Sequence, residues 1–338
     1  MKLIRTEDAV GHVLCHDLTQ IIPGEYKGAR FTKGHVVKAE DIPILLSMGK
    51  ENLYIYEMEE GMVHENDAAQ RLCAICRGEN IDCSPVKEGK IELSAACDGL
   101  FVLNREGIRD VNAVEDIMIA TRKGYTDVKA GDRLAGTRVI PLLIEEEKLH
   151  RAEATAKDGP LMRVIPYSLH SAAIVTTGSE VYHGRIEDRF TPILKEKLVH
   201  YGITTIKHII TDDDVTHITA AINDVRAGAD IVLCTGGMSV DPDDNTPGAI
   251  RRSGAHIVTY GAPVLPGAMI LLGYFDDGVP VLGLPGCVMY AKATVFDLIM
   301  PRIAAGVKLT KADFVAYGEG GLCLGCQPCR YPDCGFGK

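Results

Sequence analysis

From residue 170 onward, short apolar runs end in small or polar turn residues and hand over to segments with helical periodicity. This alternation constrains the fold more than any other feature of the chain. Ala172–Thr176 reads as a strand ending in Thr177-Gly178-Ser179. The helix Phe190–His200 follows, with Phe190, Ile193, Leu194 and Leu198 on one face and Gly202 as its stop. Thr204–Ile210 is the next strand, and the triplet Asp212-Asp213-Asp214 offers an N-cap to a helix carrying Val215, Ile218, Ile222 and Val225. Asp230–Cys234 is a continuous apolar strand running into Thr235-Gly236-Gly237. A short helix, Pro247–Arg252, precedes a strand at His256–Tyr260. Val279–Leu284 is the last buried strand, and Pro285-Gly286 is expected to open a long helix through Ala305. Strands alternating with helices predict an α/β fold with a doubly wound parallel sheet.

Three strand exits in this region are built for close backbone approach: Thr176-Thr177-Gly178-Ser179-Glu180, Thr235-Gly236-Gly237-Met238-Ser239 and Leu284-Pro285-Gly286. In a doubly wound sheet all three lie at the carboxyl ends of strands, where ligands bind. Tight turns need glycine in any case. Three such exits in about 110 residues, each facing a helix N-terminus, nevertheless point to a phosphate-bearing ligand. The run Asp241-Pro242-Asp243-Asp244-Asn245-Thr246-Pro247 follows the second exit. Carboxylates beside a phosphate cradle suit Mg²⁺, which shares oxygen ligands with its substrate. Asp244 or Thr246 would equally cap the next helix, with Pro247 near its first position. Asp212–Asp214 reads as a cap and a solvated face.

Taken together, Thr177-Gly178-Ser179-Glu180, Gly236-Gly237-Met238-Ser239-Val240 with Asp244, and Gly283-Leu284-Pro285-Gly286 resemble the molybdopterin-binding domain of molybdenum cofactor biosynthesis enzymes over residues 170–306. The resemblance implies that Thr177, Gly178, Ser179, Gly236, Gly237, Ser239, Thr246, Pro285 and Gly286 hold the pterin phosphate. It implies that Glu180 and Asp244 serve catalysis, and that Asp241, Asp243 and Asp244 hold Mg²⁺. The Asp244-Asn245-Thr246-Pro247 string is similar to the adenylyltransferase branch. Lys27–Tyr56 is similar to an N-terminal part of the molybdenumtransferase branch, and Glu7–Asp17 has the look of that branch's opening helix. The implied activity is that of a transferase which binds molybdopterin, or its adenylylated form, and assists molybdate insertion. A molybdoenzyme client would then be a partner, and a homo-oligomer is expected. Two alternatives stay open: a non-catalytic cofactor carrier or sensor, and a Mg²⁺-dependent nucleotide pyrophosphatase of the competence-damage type.

Two departures from the transferase pattern matter. Leu265-Pro266-Gly267-Ala268 lacks both basic residues found there, and Cys287-Val288 replaces Asn-Pro after Leu284-Pro285-Gly286. Each lost charge-assisted contact is worth roughly 1.5–3 kcal/mol of anion binding. At a helix N-terminus Cys287 would have a lowered pKa and be a candidate soft-metal ligand, the other reading being a small buried residue.

The remainder of the chain divides into a mixed α/β N-terminal segment (1–60), a β-rich middle region and linker (61–168), the α/β domain (169–306) and a cysteine-rich tail (307–338). Helices are expected at Ala39–Met48 and Glu65–Arg77, a strand at Asn52–Tyr56, and a linker or connecting helix at Glu145–Lys157. In the tail, Cys323-x₂-Cys326-x₂-Cys329-x₄-Cys334 resembles a ferredoxin-like run and predicts an iron–sulfur cluster or Zn²⁺. A tail of free thiols is the other reading. Cys73 and Cys76 fall on the core face of the second helix, and no histidine is assigned as a ligand. The net charge of −10, from 36 Lys+Arg and 46 Asp+Glu, argues against nucleic acid as a partner. The first ten residues lack a signal-peptide core and no run of about 18 apolar residues exists, so a cytoplasmic, membrane-free protein is expected.

Overall fold

The computed structural model describes residues 2–22, 24–55, 60–239, 241 and 244–338. The chain divides into two compact units, the second comprising Val164–Lys338 with the short segments Cys97–Val102 and Tyr125–Lys129.

The first unit is built from small antiparallel sheets with helices packed on them. Lys2–Arg5 pairs with Asn52–Ile55, and Leu18–Ile22 forms a hairpin with Tyr26–Phe31. Leu14, Leu18, Phe31, Val37, Leu45 and Leu53 fill the core between them. The expected helix over Glu7–Asp17 is a single 3₁₀ turn at Thr6–Asp8, after which Val13 and Leu14 make β-bridges instead. A four-stranded antiparallel sheet runs in the order Ile81–Cys83, Lys90–Ala95, Arg133–Val139, Ile117–Thr121. The helix Glu65–Cys76 buries Ala69, Leu72, Cys73 and Cys76, as its periodicity predicts. Glu146–Ala154 is helical, and Tyr56 of the predicted strand lies outside the described residues.

The second unit holds the α/β domain. Its strands are β1 (Ser171–Thr177), β2 (Thr204–Thr211), β3 (Ile231–Thr235), β4 (His256–Tyr260), β5 (Leu271–Tyr274) and β6 (Pro280–Leu284). They form one sheet in the order β2-β1-β3-β6-β5-β4. Successive strand residues point to opposite faces, so a strand covered on both sides must be apolar throughout. Strand β3 obeys this: Leu233 shares a core with Leu194, Leu198 and Ile299, while Val232 and Cys234 share another with Ile218, Ile222 and Ile250. The helix Val215–Arg226 is capped by Asp214, whose carboxylate accepts from the N–H of Thr216 (2.8 Å) and His217 (3.2 Å).

The sheet is mostly, not wholly, parallel. Strands β2, β1, β3 and β6 run parallel, whereas β5 is antiparallel to β6 and β4 to β5. The cause is the link Phe275–Val279, a tight turn closed by Phe275 N–H to Val279 O (3.0 Å) and Gly278 N–H to Phe275 O (2.8 Å). Such a connection makes a hairpin and is too short for a parallel crossover. Strand β5, and with it this reversal, is not among the strands read from the sequence, although Met269-Ile270-Leu271-Leu272 is an apolar run. The last helix also begins later than expected. Gly286–Met289 is a 3₁₀ turn, and the helix Val295–Ala304 starts at a capping box of Thr294 and Asp297.

Candidate functional site

Register fixes the site. Thr176 of β1 lies opposite Thr235 of β3, which lies opposite Leu284 of β6. The three strands are parallel neighbours, so the exits at Thr177-Gly178, Gly236-Gly237 and Pro285-Gly286 emerge side by side on one edge. A cavity of about 520 Å³ opens there, lined by Thr177, Glu180, Arg189, Phe190, Gly236 and Met289 among others.

Glycine at 236 is dictated twice. Its φ is +88°, and a Cβ there would sit 2.3 Å from the carbonyl oxygen of Thr177. The neighbouring threonines turn their hydroxyls inward to hold this contact. Thr246 Oγ1 donates to Gly236 O (2.9 Å) and shares a 3.1 Å hydrogen bond with Thr177 Oγ1. With the Thr246 proton directed at Gly236 O, Thr177 must be the donor in that pair. Both side chains are buried, and neither has a proton left for a phosphate. The resemblance assigns both residues to the ligand; here their hydroxyls brace the glycine turn.

The exit from β1 is also pre-engaged. Ser179 N–H donates to the Asp213 carboxylate at 2.7 Å, and Asn245 Nδ2 donates to Asp213 O at 2.9 Å. The Asp triplet therefore does more than cap. Asp214 caps its helix, Asp212 holds His217 Nδ1 (2.9 Å), and Asp213 ties the first glycine exit to the second. Asn245 occupies the cap position of the helix Thr246–Arg252 without a side-chain cap, so neither Asp244 nor Thr246 plays that part.

Beneath the cavity lies a polar network that no motif announced. Asp188 accepts from the N–H of Phe190 (2.9 Å) and Thr191 (3.0 Å), from Thr191 Oγ1 (2.6 Å) and from Thr176 Oγ1 (3.1 Å). With both hydroxyl protons turned to Asp188, His208 donates from Nε2 to Thr176 Oγ1 (2.9 Å). Burial raises the Asp188 carboxyl, but the hydrogen bonds from Thr191, Phe190 and Thr176 together outweigh it and hold the group below the ordinary carboxylate range. Burial pushes His208 below its usual value, so its imidazole is the neutral form near pH 7. Asp188 and His208 thus fix the hydroxyl of Thr176, a lining residue.

Glu180 lies on the cavity wall, and among the described residues its carboxylate takes no hydrogen bond or ion pair. Asp241 and Asp244 form a turn of their own, with Asp244 N–H donating to Asp241 O (3.0 Å) and Asp241 N–H to Asp244 Oδ2 (3.2 Å). Asp243 lies outside the described residues. Among those described, no three His, Cys, Asp or Glu side chains gather as a metal site. Mg²⁺ requires fewer, since one or two carboxylates with substrate phosphates suffice. The oxygen donors of Glu180 and Asp244 suit that ion chemically. Ser239 is exposed outside the cavity, its carbonyl accepting from Tyr260 Oη (3.3 Å). Pro285 and Gly286 begin the 3₁₀ turn whose Met289 reaches the cavity.

The cysteines depart from the sequence pattern in two places. Cys287 is half-buried, and burial raises its thiol above the usual value, because no α-helix starts there to lower it. In the tail, Cys323 and Cys334 pack against the domain core while Cys326 and Cys329 are exposed, so the four thiols are not brought to one point. The tail is held by main chain: Leu265 N–H donates to Gly321 O and Cys323 N–H to Leu265 O, both at 2.8 Å. It thereby pairs with the position where the transferase branch carries a basic residue. Arg189, exposed on the cavity lining, is a cation that no motif singles out.

Residues 173–305 match the family model described as a probable molybdopterin binding domain, and residues 3–57 match a domain of unknown function, DUF8806. A CinA-like protein of Desulfosudis oleivorans is 38% identical over 82 residues, covering 24% of this chain and 20% of the relative. A molybdopterin molybdenumtransferase of Nostoc sp. is 27% identical over 215 residues, 61% of this chain and 49% of the relative. The chain thus spans half or less of these relatives. The crystal structure of the tungsten cofactor synthesizing protein MoaB from Pyrococcus furiosus covers 40% of this chain and 93% of its own, at 21% identity and a TM-score of 0.34. No helix among the described residues is long and apolar enough to cross a membrane. With its three glycine exits aligned on one sheet edge, the stretch 173–305 is a domain of the molybdopterin-binding family.

Proposed function

We propose that the protein binds molybdopterin, or its adenylylated form, at the carboxyl edge of β1, β3 and β6, and assists molybdate insertion there with Mg²⁺. One observation carries this reading: two of the three adjacent exits, at Thr177 and Gly236, line a 520 Å³ cavity that Met289 reaches from beyond the third and that Glu180 also lines. The inward threonine hydroxyls leave recognition of phosphate to main-chain N–H groups and to Arg189. Glu180 and Asp244 would hold Mg²⁺, which supplies charge stabilisation during transfer. Spacing alone supports a thiophilic metal in the tail, and iron and zinc content of anaerobically purified protein tests that part.

A second reading, a cofactor carrier without turnover, is favoured by the tail main chain pairing with Leu265, where a basic residue would otherwise meet the anion. Anaerobic calorimetry with molybdopterin, with and without Mg²⁺, and complementation of a molybdate-insertion mutant separate the two. Mg²⁺-dependent binding with restored cofactor supports insertion, and Asp244→Ala should then abolish restoration while leaving the circular dichroism of the fold unchanged. Binding without restoration supports carriage. No binding, or Mg²⁺-dependent hydrolysis of dinucleotides instead, rejects both.

A further inference from the structure

Cys73 and Cys83 stand apart from the other thiols of the chain. Cys73 sits on the buried face of the helix Glu65–Cys76, and Cys83 ends the strand Ile81–Cys83, which pairs with Lys90–Ala95. The Cys73 thiol donates to Cys83 Sγ with the sulfurs 2.8 Å apart. That is within about 0.8 Å of the ~2.05 Å of a covalent disulfide. Both partners are held by their surroundings. Cys73 packs with Ala69, Ile91 and Val86. The connector between them is fixed by Arg77 N–H to Cys73 O (2.9 Å) and Arg77 Nε–H to Ile81 O (3.0 Å).

We propose that Cys73 and Cys83 are a thiol–disulfide exchange site whose substrate class is a low-molecular-weight disulfide such as oxidised glutathione. The two sulfurs have different access. Cys73 is 8% exposed, whereas Cys83 is half-buried and reachable from solvent. Burial first, and then the hydrogen bond to Cys83, keep Cys73 protonated, pushing its thiol up to about 12. Attack therefore falls to Cys83. Its thiolate displaces one glutathione thiolate from the disulfide and forms a mixed disulfide on Cys83. The Cys73 sulfur then attacks Cys83 Sγ, losing its proton to the departing second glutathione. Two protein thiols are oxidised to one disulfide, and one glutathione disulfide is reduced to two thiols. Cys76, fully buried, stays a thiol.

The test uses the full chain. Reduced protein is equilibrated over a series of oxidised-to-reduced glutathione ratios, quenched with iodoacetamide and digested with trypsin. The expected product joins the peptide Leu72–Arg77 to Gly78–Lys87, two hydrogens lighter than the sum of the two unalkylated peptides apart from one carbamidomethyl group on Cys76, with titratable thiols falling from the full eleven to nine. The link should persist in Cys76→Ala and vanish in Cys73→Ser and Cys83→Ser. The wild-type and Cys76→Ala measurements decide the matter even if a serine variant misfolds. Alkylation of both cysteines at high oxidised glutathione overturns the proposal. So does a lasting glutathione adduct on Cys83, or a link from Cys83 to any cysteine other than Cys73.

Discussion

Replacing Gly236 with alanine tests the geometry at the centre of the site. Two separate costs arise. A Cβ at φ +88° places an L-residue in the left-handed region, worth about 1–2 kcal/mol. The same Cβ would lie 2.3 Å from Thr177 O, a main-chain atom inside β1 that has no rotamer to yield. Forcing such overlap costs about 1–3 kcal/mol more. Gly254 provides the control: its φ is +90° and no atom lies within 4 Å of where a Cβ would stand, so Gly254→Ala carries the first cost alone. The chain has no Trp, so hydrogen exchange read by mass spectrometry on the peptide covering β3 is the direct assay. Exchange limited by opening should be roughly 5- to 150-fold faster in Gly236→Ala than in Gly254→Ala, for the 1–3 kcal/mol that separates them. Equal exchange in the two variants would refute the claim that close approach of β1 and β3, and not backbone conformation alone, demands glycine.

Two further expectations follow from the cavity. His208 has its pKa lowered by burial, with Lys195 adding to the lowering, Asp188 opposing it, and Thr176 and Thr191 as neighbours. The unfolded chain then binds that proton more readily, so the stability contribution is complete above the unfolded value of 6.5 and is lost as pH falls through the folded value. His208→Gln should show a shallower loss of urea midpoint between about pH 7.5 and 5.5 than wild type, and an unchanged slope would contradict the assignment. Arg189→Gln should weaken binding of adenylylated molybdopterin roughly ten-fold, the low end for an exposed charge-assisted contact. Calorimetry giving the same Kd for both proteins would remove Arg189 from the ligand.

What is legible in the sequence is periodic or punctuated. The helix Val215–Arg226 carries both an Asp cap and an apolar stripe, and its observed bounds match that pattern. The three exits are readable because glycine and proline mark sharp turns. Strand β5 is less so: the apolar run Met269-Ile270-Leu271-Leu272 is visible, but it is short, lacks alternation and is interrupted by Gly273. The last helix starts later than its apolar pattern suggests because Val288 and the apolar residues after Thr294 look continuous, while the 3₁₀ turn between is a local choice of backbone. The site is legible as a location and less so as chemistry. A threonine's spacing does not reveal which way its hydroxyl turns, and Thr246 turns inward. Asp188 and His208 are 20 residues apart in sequence, on a helix approach and a strand, and only the fold makes them partners. Asp213 is hidden inside a triplet whose capping role its neighbour already satisfies.

The strand order has a consequence for how the domain is made. Strand β3 lies between β1 and β6, yet β6 ends about 50 residues later in the chain, after the β4–β5 segment has been produced. During synthesis at about 5–20 residues per second, β1, β2 and β3 exist for several seconds with one long edge of Ile231–Thr235 unpaired. Every residue of that strand is buried in the finished domain, so the nascent chain carries an adhesive, apolar border until Pro280–Leu284 arrives. A chain ending between residues 235 and 280 would therefore display this unpaired border, and completion of a single five-residue strand covers it.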